Sequence, residues 1–160
     1  MPFPSALLLL GAAFVSGYAF VEHTQATLRL KLKYEEKGRK AARWSSSVER
    51  LMWDTRTTIA FGLVASAISF LSALNLLFFN ILLPPSADGW IPYRAIWAGL
   101  VAAAQHYAWD HMHSFWRGKP KVPMMAEWNA ATDESRDVTE LLGVLRFIWV
   151  LVALLKLAGL

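Results

Sequence analysis

Apolar residues in this chain gather into four runs, separated by two charged stretches and one short turn. The first run is residues 4–22 (PSALLLLGAAFVSGYAFVE). About 20 residues at 1.5 Å each cross a ~30 Å hydrocarbon core, so this run predicts a transmembrane helix of minimum length. A cleaved signal peptide is the competing reading. It needs a basic n-region, and no Lys or Arg precedes Arg29. The helix is therefore the expectation.

The next stretch, 23–56, is polar. Leu28-Arg29-Leu30-Lys31-Leu32-Lys33-Tyr34 alternates apolar and basic residues. That suits a strand, or a helix end whose long basic side chains reach the surface. No partner strand is visible, so a helical continuation is expected. Glu35-Glu36-Lys37-Gly38-Arg39-Lys40 reads as a solvated turn. Ser46 and Glu49 have capping-box spacing, which marks a second helix start. That helix carries the span 57–83 and stops at Pro84-Pro85, ahead of a turn at Ser86-Ala87-Asp88-Gly89.

The third run, 91–113, is long enough to cross but carries Arg94, Gln105, His106 and Asp110. A span this polar survives in lipid when its polar face looks into the bundle or toward water. Residues 114–138 form a second charged loop with Pro120 and Pro123, and 139–159 is the fourth span. The expected fold is all-α: a single integral-membrane domain, 1–160, built as a four-transmembrane-helix bundle.

Composition sharpens this picture in three places. The chain has no cysteine, which excludes a disulfide scaffold, thiolate zinc, iron–sulfur clusters and a cysteine nucleophile. It has eight tryptophans, a residue that favours the membrane interface. Trp90, Tyr93 and Trp97 suit one aromatic belt, and Trp44, Trp53, Trp109 and Trp116 the other. The net charge of +4 is unevenly placed, with nine Lys/Arg in 23–57 and four in 114–138, out of sixteen in all. The positive-inside rule then puts both termini on the non-cytoplasmic, non-basic side. The basic stretch from Arg29 to Arg43 fits anionic lipid headgroups, and nothing calls for nucleic acid. The mitochondrial inner membrane and the endoplasmic reticulum both accommodate such a chain.

One cluster carries candidate chemistry. His106, Asp110 and His113 fall at i, i+4 and i+7, one face of a helix. Residues at this spacing in a bundle can share one metal ion, and histidine can do acid–base work near neutral pH. His111 points away from that stripe. The expected basic-side ends of the spans add Glu22 and His23, Asp54 and Arg56, and Glu140. Arg146 lies ~9 Å inside the Glu140 end, where a cation needs a partner, with Asp110 the first choice. Ion pairing that fixes helix register is the plainer role for all of them. Ala65, Ser66, Ser69 and Ala73 are small residues that allow close helix approach.

No phosphate-binding glycine loop, HExxH or serine nucleophile elbow is present. Two functions follow. The first is a small polytopic subunit or assembly factor of a larger membrane complex, with other membrane subunits or a second copy as partners. The second is a membrane-embedded enzyme acting on a sterol, quinone, polyketide or acyl chain. There His106, Asp110, His113 and Arg146 would be catalytic, or His106, Asp110 and His113 would bind metal. No cofactor is specified. A transporter is a third option, and four helices would have to oligomerise for alternating access. In plan alone the chain resembles small four-helix membrane families of isomerases, oxygenases, glutathione-transferase-like enzymes and accessory subunits.

Overall fold

A computed structural model describes residues 3–42, 46–82, 92–117 and 126–160. Those residues form four helices, α1 (Phe3–Ala42), α2 (Ser46–Leu82), α3 (Tyr93–Trp116) and α4 (Ala126–Leu157). They pack as an up-down-up-down bundle. Ser5 at the start of α1 meets Lys156 at the end of α4, and Gln105 of α3 reaches back to Ala65 of α2. Helix α1 lies between α2 and α4, and α3 packs closely on α4 and more loosely on α2.

The helix limits follow local chemistry. Helix α2 begins at Ser46, as the Ser46/Glu49 spacing predicts, and ends at Leu82, two residues before Pro84. A proline disfavours helical backbone in the residue before it. The expected turn at 84–89 lies outside the described residues. Helix α3 starts beside Pro92. Two expectations are corrected. Glu35–Lys40 is not a turn but part of α1, because Glu, Lys and Arg are good helix formers and one glycine costs only about 1 kcal/mol. The loop expected over 114–138 is helical from Ala126, downstream of Pro120 and Pro123, where Ala126-Glu127 opens a favourable sequence.

The inward positions repeat at alternating three- and four-residue steps. Leu9, Ala12, Ser16, Ala19, His23 and Ala26 are buried in α1, and Thr55, Thr58, Gly62, Ala65, Ser69, Ser72 and Leu76 in α2. Helix α3 buries Arg94, Ala98, Val101, Gln105, Ala108 and Met112, and α4 buries Ser135, Val138, Leu142, Leu145, Trp149 and Val152. This is the three–four spacing of a heptad seam.

The size gradient is the reverse of a water-soluble protein. Many seam residues are Ala, Ser, Thr or Gly, whereas Phe14, Leu71, Phe78 and Phe147 lie on the outside. Small seam residues let helices close on each other, and an apolar exterior suits hydrocarbon. The four small residues singled out in α2 are all buried, with Ser66, Ser69 and Ala73 fully so. Three helical segments, Pro4–Leu28, Trp53–Phe78 and Thr132–Leu157, are long and apolar enough to cross a membrane. Helix α3 has 24 residues, enough to span, but is too polar to join them.

Specific hydrogen bonds join the helices. Trp149 Nε1 donates to Ser69 Oγ at 2.8 Å, and Gln105 Nε2 donates to the Ala65 carbonyl at 2.8 Å. Lys156 Nζ donates to Ser5 Oγ at 3.0 Å. Other buried hydroxyls turn back onto their own helix, as Ser66 does onto Gly62 and Thr139 onto Ser135.

Candidate functional site

Four of the sequence-selected residues lie along the α3–α4 seam. Inward positions of α3 run through Gln105, Ala108 and Met112, so His106, Trp109 and His113 stand one residue round the helix, toward α4. Trp109 is seated because residue 143 of α4 is glycine: a β-carbon there would meet Trp109 Nε1 at 3.0 Å. The indole is flanked by two near-parallel imidazoles, His106 at 6.0 Å and His113 at 5.1 Å between ring centroids.

Arg146 closes this stack from α4. Its guanidinium carbon lies 3.7 Å from the Trp109 ring centre and 4.7 Å from that of Phe147. A cation over an indole face is attracted by the ring quadrupole, most strongly where water is excluded. Arg146 Nη1 also lies 3.2 Å from His106 Nδ1. Guanidinium only donates, so Nδ1 accepts and the ring proton stays on Nε2. The Asp110 partner expected for Arg146 is thus replaced by His106 and Trp109. Asp110 is one turn away from His106 and faces outward, where the guanidinium does not reach.

The exposure of this group matters as much as its geometry. His106, Asp110 and His113 are exposed, as is Glu140 on α4, while Arg146 and Trp109 are half-buried. The polar stripe therefore looks out of the bundle rather than into it. Among the described residues, no three His, Cys, Asp or Glu side chains come together as a metal-holding group.

His111 faces the other way, as its position on the helix predicts. Its Nε2 lies 3.4 Å from Thr58 Oγ1, and its ring is 4.8 Å from that of Phe61, both on α2. Asp54 and Arg56 are exposed rim residues. Of the tryptophans assigned to interfacial belts, Trp53 and Trp97 are exposed, Trp109 is part of the stack and Trp116 is 3% exposed, while Trp44 and Trp90 lie outside the described residues. Trp149, assigned to neither belt, is wholly buried.

His23 is the largest departure. Expected at a helix rim, it is fully buried in the seam of α1, with no hydrogen-bond partner for either ring nitrogen among the described residues. It packs against Gly62 of α2, where a β-carbon would collide with Nε2, and that same β-carbon would meet Met112 Sδ at 2.7 Å. The heptad series Leu9–Ala12–Ser16–Ala19–His23–Ala26 was the signal that could have placed it. At the other end of the bundle, Leu71, Asn75, Tyr93, Trp97 and Leu100 border an open groove of about 570 Å³ between α2 and α3.

Fold and site together define a class: a small all-helical membrane bundle with a charged and aromatic seam on one flank. Comparison with known protein families, curated proteins and solved structures finds no match.

Proposed function

We propose that the chain is a subunit or assembly factor of a larger membrane complex, and that the α3–α4 flank is its docking face. The observation that carries this is the outward exposure of His106, Asp110 and His113 beside a half-buried Arg146. A charged side chain at the centre of a transmembrane helix costs about 2.5–3.5 kcal/mol, and such residues normally face protein or water. Burial against a partner removes lipid from this flank. In this reading α3 is the fourth transmembrane helix, its low apolarity explained by the stripe. Both termini lie on the non-basic side, and Lys/Arg of the two basic stretches meet anionic headgroups. The partner is another membrane subunit or a second copy. The endoplasmic reticulum and the mitochondrial inner membrane are the proposed homes.

The test is native mass after extraction in mild detergent, with identification of what co-migrates. A stoichiometric assembly is expected, and Asp110→Leu with His113→Leu should dissolve it while the isolated bundle still folds. A chain that runs alone, with or without those substitutions, overturns the proposal.

A second reading is favoured by the Arg146–His106 bond. It leaves His106 Nε2–H as a donor and Arg146 as an anchor for an oxyanion, beside Asp110 and His113. That suits an enzyme taking a sterol, quinone, polyketide or acyl chain from the bilayer. His106→Ala would then abolish turnover in a folded protein, and full activity of that variant would remove the assignment.

A further inference from the structure

We infer that His23 and Met112 form a binding site for a soft monovalent metal ion, cuprous copper, in the centre of the bundle. The site is independent of the α3–α4 flank.

His23 is fully buried, and an imidazole in either tautomer offers one donor and one acceptor. Both nitrogens lack a hydrogen-bond partner among the described residues. Buried polar atoms normally find one, and an orphan calls for an explanation such as an ion or a water. A heteroatom with a lone pair to offer, the thioether of Met112, shares this place in the bundle and is also fully buried. Both His23 Nε2 and Met112 Sδ crowd the place where a β-carbon of Gly62 would be, the sulfur at 2.7 Å from it and the nitrogen closer still. The two donors are therefore at most about 5 Å apart, so one ion held at about 2.0 Å from nitrogen and 2.3 Å from sulfur bridges them with at most a shift of about half an ångström in the thioether.

The donor chemistry selects the ion. Thioether is a soft ligand that favours copper(I), and imidazole also binds copper. Magnesium and calcium require oxygen donors. Zinc sites normally take four ligands, or three and a water, and no third His, Cys, Asp or Glu joins His23 in a metal-holding group among the described residues. Copper(I) accepts two-coordinate nitrogen–sulfur ligation and carries a single charge, which suits an apolar interior. Gly62 is part of the design: its missing side chain is what lets the imidazole and thioether meet against α2.

The experiment uses the full chain purified in mild detergent. Copper(I) is titrated anaerobically against a chromogenic copper(I) chelator, and X-ray absorption reads the ligands. One copper(I) per chain is expected, with one nitrogen-type and one sulfur-type scatterer. Met112→Leu keeps the volume and removes the sulfur, and should weaken binding at least tenfold with the sulfur scatterer lost. His23→Leu should abolish competition with the chelator. Circular dichroism and size-exclusion profiles establish that both variants are folded. If His23→Leu does not fold, Met112→Leu alone decides the matter. A wild-type protein that binds no copper(I), leaving a water as the partner of His23, overturns the inference. So does copper(I) bound with unchanged affinity by a folded Met112→Leu protein.

Discussion

Glycines at the helix contacts decide which side chains can enter them. Gly143 admits Trp109, and Gly99 of α3 has nothing within 4 Å of where its β-carbon would be. Gly143→Val should destabilise the bundle by about 1–3 kcal/mol, because overpacking a tight contact forces off-rotamer side chains. Gly99→Ala should instead stabilise it by up to about 1 kcal/mol through helix propensity alone. Thermal unfolding in one detergent reads both, and a Gly143→Val protein as stable as wild type would contradict the packing of Trp109 on α4. The Trp149–Ser69 bond allows a second measurement. Trp149→Phe should cost about 1 kcal/mol, the ordinary net value of a hydrogen bond. In a double-mutant cycle with Ser69→Ala, the coupling should be a sizeable part of that loss. Additive losses would mean that the indole N–H has another acceptor.

Among the elements, α3 is the one whose role its own composition leaves open. Its inward face holds Arg94 and Gln105, and its outward stripe holds His106, Asp110 and His113, so hydropathy alone does not select it as a span. Its neighbours hold it in the bundle: Gln105 on α2 and Trp109 on α4 fix its register against two helices that are apolar enough to cross. The absence of cysteine makes the topology measurable with single introduced thiols. Arg50→Cys and Arg117→Cys should react with a membrane-impermeant reagent from one side of sealed vesicles. Pro92→Cys and Leu160→Cys should react only from the other. Should Pro92→Cys and Arg117→Cys label from the same side, α3 does not cross.

For the whole molecule, the seam and the exterior have opposite compositions, and the α3–α4 flank is the part of the exterior that breaks the rule. Phe14, Leu71 and Phe78 present ordinary lipid-facing surface, whereas His106 and Asp110 present hydrogen-bonding groups within α3 and His113 in its last turn. Double substitution of Asp110 and His113 by leucine should leave the unfolding temperature of the isolated bundle nearly unchanged, since neither side chain is in the core. That insensitivity separates a docking role from the register-fixing ion pairs also considered for these residues. A large loss of stability in the isolated protein would favour the latter.

Four helices, the approximate limits of α2 and α3 and the small-residue seam of α2 were legible in the sequence, because helix propensity, proline placement and apolar run length are local properties; α1 and α4 run on through charged stretches read as loops. Three apolar helices follow from the same local signals. The helical spacing of His106, Asp110 and His113 was also legible, as was the separation of His111, since both depend only on the helical period. The outward direction of that stripe was not, because which face of α3 turns inward is set by competition with Ala98, Val101, Ala108 and Met112 for the seam. Arg146 was visible as a buried-depth cation, but its pairing with His106 and Trp109 depends on Gly143 one turn away on the same helix. His23 read as a rim residue because its neighbours in sequence are polar, and tertiary packing placed it in the core beside Gly62 and Met112. The sequence by itself determined what each helix is, whereas only the packing of four helices decided which of their faces meet, since that choice rests on contacts between residues far apart in the chain.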